Sequence, residues 1–280
     1  RTQYSASDSH KIEWVMGDRV TIWCDQAKSG SPAIYKVTGF TEPEATVKSK
    51  ATISALSGGL TWGDDVLHTF CAVYGESSSI TKVVNATATA KLKYSTTQTL
   101  TQCENGSWAN MQQAYMVAFA QANKPTDPQQ KVDVPLSFYP VMTTLDIVVK
   151  GMSGNGAEDI FVQSLSITTP QESGASYDDV LYEEDGDTYF DIDFNSSGPV
   201  DQSSSPIKGL KRTSTFVLQQ PQKVAVDGSL LITVNLPRIA ISGTSGKPVT
   251  VTIDTTDDSN QFTLSDEVIA GNNEKIITPT

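Results

Sequence analysis

The stretch GLTWGDDVLHTFCAVYG, residues 59–75, brings together a tryptophan, paired aspartates, one of the chain's two histidines and one of its three cysteines. A histidine beside a carboxylate could serve as a general base, but a hydrolase also needs a nucleophile within reach. There is no G-x-S-x-G elbow, and the other histidine, His10, lies in a polar segment. His68 therefore reads as a residue at a strand entrance that hydrogen-bonds locally. Neither the histidines nor Cys24, Cys71 and Cys103 fall at i, i+2 or i, i+4 spacing, so they do not preorganise zinc. The segment YDDVLYEEDGDTYFDID, residues 177–193, supplies the hard oxygens that calcium takes, without the ligand order of an EF-hand, and it reads as a solvated turn. Tyr177, Tyr182 and Tyr189 in the same segment are the candidates for stacking on a sugar ring, set against their ordinary place as strand residues. GMSGNG at 151–156 lacks the lysine and the strand-to-helix context of a phosphate loop and reads as a turn. No catalytic, cofactor-binding or metal-binding set assembles, and the expectation is a protein that is not an enzyme.

Composition narrows the partners. Basic residues number 20 against 32 acidic, a net charge of −12 that repels a phosphate backbone and makes nucleic acid and anionic membranes poor partners. Three cysteines without CxxC spacing leave at least one thiol unpaired and behave as small apolar residues. No apolar run approaches the roughly 20 residues a membrane-spanning helix needs.

Stepping along the chain, apolar residues recur with period two. They do so in VDVPLSF (132–138), LDIVV (145–149), YFDIDF (189–194), LLITVNL (230–236) and VTVTID (249–254), with Gly, Asp, Asn and Ser between the runs. That period suits antiparallel strands with one buried face, and repeated in both halves it predicts β-sandwiches. SWANMQQAYMVAFAQAN, 107–123, places Trp108, Met111, Tyr115, Ala118, Phe119 and Ala122 at helical spacing behind a possible Ser107 cap and predicts the one helix. NKPTDPQQK interrupts both periods and places a domain boundary near Gln129, giving domains 1–128 and 129–280. Within the opening stretch, Leu67, Thr69, Cys71 and Val73 fall on one side and His68, Phe70, Ala72 and Tyr74 on the other. This is a central strand, entered through the WGDD turn with Trp62 over its open end.

The order of EWVMGDRVTIW (13–23), LTWGDDVLHTFCAVYG (60–75) and VDVPLSFYPVMTTLDIVVKG (132–151) resembles the fimbrillin-like surface proteins of Bacteroides-type bacteria, the type V pilin family. Trp14, Gly17 and Asp18 match its Trp-x-x-Gly-Asp strand start. Trp62, Phe70, Ala72 and Tyr74 match its F-x-A-x-Y-P strand, and Val134, Leu136, Phe138, Leu145, Ile147 and Val149 match the pair that follows. Gly75, Cys71 and Pro140 stand where the family has proline, an aromatic and histidine. The Pro-Gln pair of TFVLQQPQKV (215–224) extends the likeness more loosely.

The resemblance implies an all-β chain of two tandem transthyretin-like antiparallel β-sandwich domains with at most one or two short helices. It implies export to the outer-membrane surface behind an upstream lipid anchor, and a stalk, tip or anchor role in a fimbria. The implied partners are other fimbrial subunits, joined by strand exchange, and a receptor or glycan. Ile276 and Ile277 in NNEKIITPT are the candidate donor-strand anchors, while the polar N-terminal YSASDSHKIEW is the piece that maturation would remove. The alternative is a surface lipoprotein that binds carbohydrate or a host ligand and never polymerises.

Overall fold

The computed structural model describes residues 3–5, 8–41, 48–75, 80–84, 88–103, 106–127, 130, 132–168, 182–194, 213–237, 249–256, 259–264 and 273–277. Among these the chain is all-β. The first strands are β1 (Gln3–Ser5), β2 (Asp8–Glu13), β3 (Arg19–Trp23), β4 (Ala33–Phe40), β5 (Ala51–Ala55), β6 (Leu67–Tyr74) and β7 (Ile80–Val84). Next come β8 (Ala88–Tyr94), β9 (Thr97–Gln102), β10 (Trp108–Ala109), β11 (Met116–Asn123), β12 (Tyr139–Pro140), β13 (Thr143–Lys150) and β14 (Ile160–Thr168). The last are β15 (Tyr182–Glu184), β16 (Asp187–Asp193), β17 (Thr213–Val224), β18 (Ser229–Leu236), β19 (Val249–Thr255), β20 (Ser259–Leu264) and β21 (Asn273–Ile277).

The chain divides into two compact units, and both halves of the sequence contribute to each. The first unit comprises Arg1–Leu92, Met111–Val141 and Asp191–Ser203; the second comprises Lys93–Asn110, Met142–Phe190 and Ser204–Thr280. Interleaved segments thus stand where the sequence suggests a single cut near Gln129.

The first unit holds a six-stranded antiparallel sheet in the order β12-β11-β6-β3-β4-β5. Val20, Ile22, Ala72, Tyr74, Met116 and Ala118 form its core, with Trp14, Ile53, Leu136 and Phe138 among the side chains packed against them. These core residues sit two apart on β3, β6 and β11, so each strand turns one row inward. β11 corrects the expected helix over 107–123. That stretch instead gives β10, one turn of 3-10 helix at Met111–Gln113, and eight residues of β11 paired with β6 from Met116↔Tyr74 to Asn123↔Leu67. The alanines at 118, 120 and 122 favour a helix locally, but the long ladder to a central strand outweighs that preference.

A second expectation also needs correction. Residues 132–138 keep the alternation of a strand, with Val134, Leu136 and Phe138 half-buried and Asp133, Pro135 and Ser137 exposed, yet they belong to no sheet. They form a strap packed on the sheet face, where Leu136 and Phe138 meet the core. Alternation records which side is buried, and burial under one face does not require a hydrogen-bonded neighbour.

The second unit is built on a nine-stranded sheet, β20-β19-β14-β17-β9-β10-β18-β13-β21. Leu145, Ile147 and Val149 of β13 and Ile232, Val234 and Leu236 of β18 are almost wholly buried along it. Most neighbours are antiparallel, but β9 with β17, β10 with β18 and β13 with β21 are parallel. At these three places the partner arrives from a distant part of the chain instead of through a hairpin, in a sheet that is otherwise antiparallel. Pro221 lies where the β14–β17 register shifts: Val217 faces Ser164 and Gln222 faces Val162, leaving Pro221 among the residues that bulge out. A residue without an N–H belongs at such an interruption, which accounts for the Pro-Gln pair.

A four-stranded sheet runs β15-β16-β8-β7. Tyr94, at the end of β8, is fully buried and donates its hydroxyl to Ser214 Oγ on β17 at 3.0 Å within the second unit. Burial pushes the phenol far above its usual range, so the hydroxyl remains a donor at any ordinary pH. Tyr94→Phe removes that donor and leaves Ser214 short of a partner. We expect a loss of about 1 kcal/mol, read as a lower urea midpoint with an unchanged m-value.

Candidate functional site

The Trp-x-x-Gly-Asp start of β3 is a four-residue turn. Asp18 N–H returns to Val15 O at 3.0 Å, and Gly17, at φ 86°, supplies the left-handed third position. Asp18 Oδ2 accepts from Val15 N–H at 2.8 Å, while Gly17 N–H to Val37 O and Val37 N–H to Asp18 O lock the turn to β4. Asp18 is 2% exposed, and burial raises its carboxyl above the usual carboxylate range. The turn aims Trp14 at the sheet face, where its ring meets Tyr74 edge-on at 5.5 Å and Phe138 of the strap at 5.2 Å.

The opening stretch forms the far side of the same face. His68 is 1% exposed, and its Nε2 accepts from Gly63 N–H at 2.9 Å, the local hydrogen bond expected at a strand entrance. An Nε2 that accepts carries no proton, so the ring proton sits on Nδ1, and that buried N–H has no hydrogen-bond partner among the described residues. Trp62 stands edge-on to His68 at 4.7 Å and to Phe70 at 5.8 Å. Gly63 is required here because a Cβ would overlap Gln26 O. Gln26 in turn accepts Thr69 N–H at 3.0 Å, which anchors β6 to the loop after β3. Aspartates 64 and 65 are exposed and face water.

Between sheet and strap lies a cavity of about 860 Å³. Its walls are mostly apolar and aromatic, with Tyr35, Phe70 and Trp62 on one side and Leu136 and Phe138 on the other. Tyr35 accepts Leu60 N–H at 3.0 Å, holding the loop that closes one end. Nothing in the spacing of Tyr35 or Leu60 marks them as site residues, because they converge only when β4 and β6 flank β3. Cys24 also lines the cavity, and burial raises its thiol, in keeping with its role as a small apolar residue. Gly75, in place of the family's proline, has φ 153°, and the Tyr115 ring lies where a Cβ would stand.

The sheet has an open edge beside the strap. β12 pairs with β11 only through Met116↔Pro140 and Val117↔Tyr139. Continuing that register would set Leu136 against Ala120, yet among the described residues no ladder partner lies on that side from Ala118 to Asn123. Tyr115 O accepts Val141 N–H on this side, and Lys124 N–H reaches Val66 O on the other. By strand alternation the peptide groups of Phe119, Gln121 and Asn123 therefore point outward.

The other sequence candidates lie elsewhere. Tyr177 is outside the described residues. Tyr182 opens β15, opposite Tyr189 on β16, in a hairpin that turns at Asp185 and Gly186 with φ 53° and 84°. Tyr189 donates its hydroxyl to Asp187 Oδ2 at 3.4 Å, and Asp187 Oδ1 pairs with Lys93 at 2.7 Å. No group of three or more His, Cys, Asp or Glu among the described residues is placed to hold a metal ion. Ile276 and Ile277 lie on β21, in parallel register opposite Val148 and Val149 at the rim of the nine-stranded sheet. Among the described residues no helix is long and apolar enough to cross a membrane.

No family model and no curated protein matches the chain. Among solved structures, a Bacteroides ovatus protein described provisionally as a cell adhesion protein aligns with TM-score 0.51 and 10% identity, over 99% of this chain and 88% of that one. Similarly described proteins align from Bacteroides fragilis (0.42, 11%, 95% and 80%) and Bacteroides thetaiotaomicron (0.36, 9%, 95% and 79%). The first of these shares the fold.

The buried Asp18 sets a pH dependence. Its folded pKa lies above the unfolded value, so between the two the folded state binds more protons and stability falls as pH rises. Asp18→Asn keeps an acceptor for Val15 and removes the titration. Denaturant midpoints measured from pH 3 upward should lose that decline in the variant, which gains on the wild type above the window and not below it.

Proposed function

We propose that this chain is a non-enzymatic subunit of a surface adhesion or fimbrial assembly, joined to its neighbours by strand exchange. The observation that carries the reading is the fold shared, over nearly the whole chain, with the Bacteroides ovatus protein described provisionally as a cell adhesion protein. The fimbrillin-like motifs point the same way. Trp14, Gly17 and Asp18 build the turn that seats the first sheet, and Trp62, Phe70 and Tyr74 belong to its central strand region.

Strand exchange needs a lender and a borrower. β21 is a five-residue strand at a sheet rim, held among the described residues through one neighbour, β13. Leaving that position exposes only one ladder. On the borrowing side, the outward peptide groups of Phe119, Gln121 and Asn123 present donors and acceptors that an incoming strand satisfies. Each backbone hydrogen bond so made contributes about 0.5–1.5 kcal/mol net, and the apolar pair Ile276 and Ile277 adds burial in the partner. An outer-membrane location with a lipid anchor and a role as stalk, tip or anchor belong to the same reading.

Gln121→Pro tests it. Proline removes the outward N–H while leaving the β6-facing groups of Ala120 and Ala122 in place. The wild type should form oligomers that survive mild denaturant; both Gln121→Pro and a chain ending at residue 272 should remain monomeric by light scattering with unchanged circular dichroism. Undiminished oligomers in both variants would overturn the strand-exchange reading.

A further inference from the structure

We infer that the cavity under the 132–138 strap is a binding site for an uncharged, largely apolar small molecule carrying one oxygen acceptor, of the size of a monoacylglycerol. At about 860 Å³ it falls within the range of small-molecule sites, roughly 300–1,000 Å³. The cavity lies wholly within the first unit and does not depend on strand exchange, since the open edge of β11 is a different surface.

Two independent features point to this occupant. First, most of the lining is hydrocarbon and ring, with Tyr35, Phe70, Trp62, Leu136 and Phe138 outweighing the polar side chains, Lys50 and Asp133 among them, a balance that favours an acyl chain or a ring over a polyol. The strap half-buries its apolar row over this space without forming a ladder, so it covers the site without the rigidity that a paired strand would bring. Second, His68 lines the same cavity and holds a buried Nδ1–H with no partner among the described residues. Its tautomer is fixed by Gly63, so the ring cannot turn the unused proton into an acceptor. An N–H left unpaired in an apolar wall is unfavourable, and a carbonyl or hydroxyl oxygen placed there relieves it. The lining carries one cation and one anion, Lys50 and Asp133, and so no net charge to hold a carboxylate, which selects an ester or hydroxyl oxygen.

The test uses the whole chain and 1-decanoylglycerol below its micellar concentration. Trp14 and Trp62 both line the cavity, so intrinsic tryptophan fluorescence should change saturably with one site. Ala51→Trp, on edge strand β5, fills the cavity and should abolish the response while circular dichroism and the melting temperature are retained. His68→Leu should weaken binding about tenfold, and His68→Gln, which keeps an acceptor for Gly63 and a donor for the ligand, should restore most of it. Should the His68 variants fail to fold, selective 15N-histidine NMR of the wild type serves instead, because only His10 and His68 contribute signals. The Nδ1-bound proton of His68 should then shift on titration. No saturable change, binding undiminished in Ala51→Trp, a silent Nδ1 proton, tighter binding of decanoate than of the glyceride, or saturable binding of maltotriose would each overturn the proposal.

Discussion

In the first unit the join between sheet and strap depends on the packing of one ring. Trp14 stands edge-on to Tyr74 of the sheet and to Phe138 of the strap, and so joins a hydrogen-bonded element to one that has no ladder of its own. The strap stays on the face through side chains alone, which makes hydrophobic burial and ring geometry the terms that hold it. The turn at Val15–Asp18 sets the direction of Trp14, so a glycine at positive φ and a buried carboxylate control the roof of a cavity built from other segments.

The division of labour explains why the edge of β11 is open. A segment long enough to complete the sheet precedes β12, in register to do so, and lies across the face instead. Its alternating row of Val134, Leu136 and Phe138 satisfies the apolar demand of the sheet, while the peptide groups of β11 are left to other partners. Surface coverage and edge pairing, which a single strand often supplies together, are separated here.

Period-two patterning is legible wherever apolar and polar side chains alternate, in β13 and β18 even though the polar row of Thr144, Asp146, Thr233 and Asn235 is itself buried. β13, β16, β18 and β19 are the strands that this alternation predicts, and His68 sits at its strand entrance with the local hydrogen bond that its position implies. The misreadings share a cause: local pattern reports burial, whereas pairing is decided at long range. β11 is buried on both faces at Met116, Val117 and Ala118, so its alternation is erased and its alanines mimic a helix. The strap shows the reverse, alternation without a ladder. The three parallel pairs leave no trace in the pattern because they sit in a mostly antiparallel sheet, whose strands keep the alternation that a wholly parallel sheet lacks. The cavity was only partly legible: Trp62, His68 and Phe70 came from one stretch, but Tyr35 and Leu60 join them through β-sheet order that no local spacing encodes.

The place of β9 in the larger sheet carries a consequence for how the molecule is made. Thr97–Gln102 sits between β17 and β10, and its parallel mate, through Thr97↔Thr215, is encoded more than a hundred positions downstream. A ribosome delivering this polypeptide vectorially releases the middle of that sheet long before its flank exists. The waiting segment offers bare amides throughout synthesis, and closure over so large a sequence gap is slow. Biogenesis of such a chain would favour a chaperone that shields nascent strands until the late ones emerge, and a severed C-terminal half would lack the seed around which its own layer condenses.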